Sequence, residues 1–152
     1  MAEVYPIEQV LDKIKEFTPL QRILLASAGT NQSTLSAYFG SPVTIEVTGQ
    51  QSRKNGGKDL IIRETDLVCN GKTVCSAETT IYACSSVAID LIEAKELGIG
   101  QIMQHLGIKP DFNLEQVGSN DSGFWRIYTL TGDDSCLTYR IHEQFPHELY
   151  RE

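Results

Sequence analysis

The chain has 152 residues, 41% of them hydrophobic, and a formal net charge of -7. That length and apolar content suit one domain with a core of its own, while the acidic surplus argues against a nucleic-acid or anionic-membrane surface, which needs excess Lys and Arg. No apolar run reaches membrane-spanning length and none of signal-peptide length follows Met1, so the sequence predicts a cytoplasmic protein with no membrane partner.

In chain order, Ile7, Val10, Leu11, Ile14 and Phe17 recur at helical spacing, which predicts an amphipathic helix over residues 6 to 17. Thr18-Pro-Leu-Gln21 has the form of a capping box with proline at the first helical position and starts a second helix through Leu25. A third, short helix is expected over 34–39, with Ser33 as N-cap and Gly40 as its stop. Its start would leave free backbone N–H groups near Thr34, a place for a ligand's anionic group or an ordinary helix cap.

Residues 43–48 alternate and are rich in β-branched side chains, so they read as a strand. The polar, glycine-bearing stretch 49–58 reads as a long loop whose Arg53 and Lys54 are available to guide an anion. Asn70-Gly71 then marks a tight hairpin between strands 60–69 and 72–83. Taken literally, that turn sets Cys69 opposite Lys72, Leu67 opposite Val74 and Arg63 opposite Glu78. Three readings of Arg63 stay open: half of a cross-strand pair with Glu78, an exposed charge, or a cation that binds an anion.

Residues 86–95 read as a helix, and Gly98-Ile-Gly-Gln-Ile102 as a glycine turn into a further short helix, with N–H groups near Ile102 exposed. Strands follow over 112–117 and 124–130, and Gly132-Asp-Asp-Ser135 is the turn into a last strand, 136–145. On that strand Leu137, Tyr139, Ile141, Glu143 and Phe145 share one face, and Glu143 is its only charge. A carboxylate there needs a cation partner or protonation, unless it reaches water at the strand's end. The order of elements predicts an α+β fold: one largely antiparallel sheet in a single domain, 1–152, with helices gathered on one face.

The four cysteines form no CxxC pair and have no histidine at metal-ligand spacing, so no metal is expected and buried free thiols are the favoured reading. The sequon-like tripeptides at Asn31 and Asn120 read as chance matches in a chain without a secretion signal.

Leu60-Ile-Ile-Arg-Glu64, the Asn70-Gly71 turn, Leu97-Gly-Ile-Gly-Gln-Ile102 and Glu143-Gln-Phe-Pro146 follow the order and spacing of one enzyme family. In these motifs the chain resembles the chorismate pyruvate-lyases, over roughly residues 20 to 150. The resemblance implies conversion of chorismate to 4-hydroxybenzoate and pyruvate without a cofactor, the ligand being a small aromatic or cyclohexadienyl carboxylate. It implies Arg63 as the group that binds the ring carboxylate and Glu143 as the acid or hydrogen-bond partner at the ring's 4-oxygen. Backbone N–H groups at Thr34 and Ile102 would complete the hold. The family's second arginine is replaced by Glu78 in this chain. The same fold serves without catalysis in the effector-binding domains of GntR-type regulators, so a non-catalytic aromatic-acid sensor is the alternative. No basic helix-turn-helix precedes the fold, which argues against a nucleic-acid partner.

Overall fold

The computed structural model describes residues 7–55, 58–132 and 136–150. Within them the elements run α1 (Ile7–Ile14), α2 (Pro19–Ala26), α3 (Gln32–Phe39), β1 (Thr44–Asn55), β2 (Lys58–Cys69), β3 (Lys72–Ala83), α4 (Ser86–Ala94), α5 (Ile99–His105), β4 (Asp111–Asn120), β5 (Gly123–Thr131) and β6 (Leu137–Pro146). The strands form one sheet in the order β1-β2-β3-β6-β5-β4, and every neighbouring pair is antiparallel. This is the predicted α+β architecture.

Alternation divides the sheet into two faces. Ile61, Ile81, Tyr128, Tyr139, Ile141 and Phe145 are buried on the helix-covered face, with Val10, Ile14, Leu24, Leu25, Leu35, Ile92 and Ile102 supplied by the helices. Glu64, Glu78, Tyr82, Arg140 and His142 on the other face are exposed. The Thr18 capping box is present, its hydroxyl accepting from Gln21 N–H and the Gln21 side chain accepting from Thr18 N–H. It turns the chain sharply between α1 and α2, and α1 ends at Ile14 rather than at residue 17.

Three local expectations are corrected. The stretch expected as a loop over 49–58 is strand from Gly49 to Asn55 and again from Lys58, with Arg53 opposite Leu60 and Lys54 opposite Asp59; residues 56–57 lie outside the described residues. An edge strand tolerates this polar composition because its far side faces water. The N-cap of α3 is Asn31, not Ser33, although Gly40 does close the helix in the left-handed region at φ 67. Finally, Cys84 and Cys136 are joined in a disulfide, while Cys69 and Cys75 are the expected buried thiols. The turn expected at Gly132–Ser135 falls largely outside the described residues.

The hairpin register is also different. Cys69 does face Lys72, but a bulge follows: Val68 pairs with Thr73 and Leu67 with Cys75, so Val74 is the extra residue. Val74 and Cys75 are both buried, as two consecutive residues at a bulge can be. Everything beyond is shifted by one. Arg63 faces Thr79 and Glu64 faces Glu78. Glu78 therefore stands on the exposed face and does not neutralise Arg63.

Candidate functional site

Two rows of inward-facing residues cross the middle of the sheet. One runs Thr65, Ala77, Glu143, Arg126 over β2, β3, β6 and β5; the next runs Arg63, Thr79, Ile141, Tyr128. Three charged side chains are thus carried into a mainly apolar layer: Arg63 and Arg126 are 0% exposed and Glu143 is 3% exposed. Such burial is stable only where every donor and acceptor finds a partner.

Each nitrogen of Arg126 does so. Its Nε donates to Glu143 Oε1 at 2.7 Å, one terminal nitrogen donates to the Leu25 and Ser27 carbonyls, and the other donates to the Gly29 carbonyl at 2.7 Å. The guanidinium also lies 3.9 Å from the centre of the Tyr128 ring. Those carbonyls belong to the end of α2 and the turn that leaves it, where helical carbonyls have no partner of their own. Burial alone would pull the guanidinium's pKa down, but the Glu143 carboxylate beside it brings the balance above the ordinary value. The Tyr128 hydroxyl donates to the second Glu143 oxygen at 3.1 Å, and burial followed by that negative neighbour pushes its phenol well up.

Each nitrogen of Arg63 also has one acceptor. Its Nε donates to Gln50 Oε1 at 2.8 Å and its terminal nitrogens to the Ile92 and Leu97 carbonyls, both at 2.9 Å. The Gln50 amide donates to the same Ile92 carbonyl at 3.2 Å. Arg63 thereby ties the end of α4 and the approach to α5 down on the sheet. Burial pulls its pKa down from the ordinary arginine value.

Beside Glu143 is a cavity of about 40 Å³ between the sheet and the helices. Thr65, Thr79, Ala77 and Ile141 form its sheet wall, and Thr30, Gln32, Gly98, Gly100 and Gln101 its helix-side wall. Glu143 is the only charged residue among the described lining residues. Two of the wall residues lie close together: a Cβ added at Gly100 would meet Thr30 Oγ1 at 3.1 Å. Two surface depressions, of about 500 and 230 Å³, share lining residues with the cavity.

Of the residues named from the sequence, Glu143 lines this cavity; Arg63, Thr34 and Ile102 do not. Arg63 and Glu143 share the inner face two strands and two residues apart, which by sheet geometry separates their Cα atoms by about 12 Å. Thr34 lies in the first turn of α3, whose N-cap offers no side-chain cap: Asn31 Nδ2 donates to the Leu24 carbonyl, and its buried Oδ1 accepts from none of the described groups. The exposed N–H expected near Ile102 is corrected, because that amide donates to the Gly98 carbonyl at 3.0 Å. The α5 helix begins at Ile99, so its unpaired amides fall earlier than the motif suggested.

Arg126 is a candidate cation that the sequence offered but could not place, because the turns on either side left its face open. The signal was present: Phe124, Arg126, Tyr128 and Leu130 alternate as Leu137 to Phe145 do, with one charge on an apolar face. Among the described residues no group of three or more His, Cys, Asp or Glu is placed to hold a metal, and no helix is long and apolar enough to cross a membrane.

No protein-family model matches the chain, and no curated protein is similar to it in sequence. Among solved structures it is similar to a possible transcriptional regulator, YydK, from Bacillus subtilis subsp. subtilis str. 168. Identity is 17% over 72% of this chain and 60% of the other, with a TM-score of 0.49. The chain thus spans about three fifths of that protein's length.

Proposed function

We propose that this protein binds a small hydroxyl-bearing aromatic or cyclic compound in the cavity beside Glu143 and holds it without converting it. The observation that supports this is the state of Glu143. One oxygen accepts from a guanidinium and the other from a phenol, so both oxygens of the carboxyl group are engaged as acceptors. A ligand hydroxyl is the complementary group. The threonine hydroxyls and glutamine amides of the wall suit polar substituents on the same ring. At about 40 Å³, against 10–15 Å³ for one water, the cavity holds a few waters as it stands. Entry of a ring requires the cavity to widen.

A second reading is the lyase, and one observation favours it: Arg63 and Glu143 point into the same side of the sheet at a separation a small aromatic acid can bridge. It requires Arg63 to release its backbone acceptors and Glu143 to exchange one of its present donors for the ligand. Incubation with chorismate separates the two readings. Appearance of 4-hydroxybenzoate absorbance with stoichiometric pyruvate establishes the lyase and removes the holding role. Absence of turnover, with saturable calorimetric binding of 4-hydroxybenzyl alcohol that is much weaker for benzyl alcohol, supports the binding protein. Glu143→Gln should abolish that preference for the hydroxyl.

A further inference from the structure

The charges around the cavity beside Glu143 are one-sided. Glu143 and Arg126 close a 2.7 Å ion pair, yet the carboxylate lines the cavity and the guanidinium does not. Arg126 directs its terminal nitrogens to the Leu25, Ser27 and Gly29 carbonyls. A group inside the cavity therefore meets the negative end of the pair. The other described lining residues carry no charge; Thr30, Gln32, Thr65, Thr79 and Gln101 supply the polar side chains. Arg63 shares the inner face but does not line the cavity, and its nitrogens donate to Gln50, Ile92 and Leu97. Lys109 edges the larger depression outside, and Lys95 edges the smaller one in company with Glu96.

The start of α5 adds a weak positive end to the wall. A helix terminus is worth about half a unit charge, and the Gln101 side chain already takes the Gly98 N–H at 2.7 Å. The full charge of a carboxylate outweighs it. Hydroxyls and amides on the wall suit a neutral polar group, because each offers a donor or an acceptor as the ligand requires. An anion fares differently. It would lose its water, find no cation on the wall and stand close to Glu143. Two like charges about 6 Å apart, at an effective dielectric constant of about 20, weaken binding about a hundredfold.

We infer that the cavity selects by charge: it takes a ring compound that is neutral, such as an alcohol, a phenol or an ester, and turns away carboxylates and phosphates. This rests on the binding role proposed above and narrows it. Glu143 then has two tasks, accepting from the ligand's hydroxyl and keeping acids out. The same property disfavours chorismate, which carries two carboxylates.

The test is calorimetric binding, at neutral pH, of three compounds that share a 4-hydroxyphenyl ring: 4-hydroxybenzyl alcohol, methyl 4-hydroxybenzoate and 4-hydroxybenzoate. The alcohol and the ester should bind, and the acid about a hundredfold more weakly. The ester is larger than the acid, so size does not explain that order. Gln101→Lys puts a cation on the exposed side of the wall and leaves Arg126 and Glu143 in place; it should tighten 4-hydroxybenzoate about tenfold and change the alcohol little. Gln101→Met loses the same Gly98 cap without adding charge and should give no gain. Acid binding as tight as that of the ester overturns the inference and leaves the binding role standing. An acid bound no better by Gln101→Lys than by Gln101→Met shows that shape is the filter and equally overturns it. Failure of all three compounds to bind the native protein removes the binding role and the inference with it.

Discussion

Arg126 on β5 and Glu143 on β6 stand directly opposite each other and close a 2.7 Å ion pair with both side chains sealed from solvent. The pair is also a clamp. Through Arg126 it reaches the Leu25, Ser27 and Gly29 carbonyls, so the turn after α2 is fixed to the same point of the sheet that forms the cavity wall. Arg126→Met would leave the Glu143 charge buried and those carbonyls without a donor. A loss of about 3–5 kcal/mol is expected in urea unfolding, and Arg126→Met with Glu143→Gln should recover part of it. A single substitution costing less than about 1 kcal/mol would contradict the clamp.

Arg63 makes a different prediction. Its donors hold the Ile92 and Leu97 carbonyls, on either side of the link between α4 and α5. Arg63→Lys keeps the charge but cannot present the same planar fork, so about 2–3 kcal/mol of stability should be lost with faster amide exchange around residues 92–98. If Arg63 is instead chiefly a ligand anchor, ligand affinity will fall while exchange in that link stays unchanged.

The buried tyrosines fix the alkaline limit. Tyr128, Tyr139 and Tyr150 all have phenols pushed above their ordinary value, in each case chiefly by burial. The unfolded chain loses these protons near pH 10 while the folded chain keeps them, so above that pH the folded state binds more protons. Stability is full below about pH 10 and falls as pH rises past it, by about 1.4 kcal/mol per unit for each phenol. Tyr128→Phe should lessen that slope by one such contribution. Unfolding titrations with the same slope for both proteins would place the alkaline limit elsewhere.

The disulfide joins positions 52 residues apart. Cys84→Ser with Cys136→Ser should cost about 2–4 kcal/mol through the freer unfolded chain. Equal thermal midpoints for the bridged and bridgeless proteins would show that the bridge contributes nothing to folding.

Gly123 pairs with Pro146, and a Cβ there would lie 1.9 Å from the Phe145 carbonyl oxygen. Backbone cannot give way as a side-chain tip can, so Gly123→Ala should pull the start of β5 off β6. Strong destabilisation and lost exchange protection at both strand ends are expected, whereas the close contact of Gly98→Ala is with the Ile45 Cδ1 tip, which can swing aside, and it should be milder.

Local chemistry in the sequence was enough to place most elements: helical spacing and the Thr18 capping box, the Asn70-Gly71 turn, and the alternation that buries Leu137 to Phe145 with Glu143 among them. These depend on residues within a few positions of each other. The sequence also picked out Arg63 and Glu143 as charges on apolar faces, and both are buried. What each charge touches was decided only by the tertiary structure. One inserted residue, Val74, moved Arg63 from Glu78 to Thr79, because side chains alternate with a period of two and a single bulge exchanges faces for the rest of the strand. Strand pairing between β5 and β6 gave Glu143 its cation, and four cysteines allow three complete pairings that spacing alone does not rank, so Cys84 met Cys136 only when β3 and β6 became neighbours.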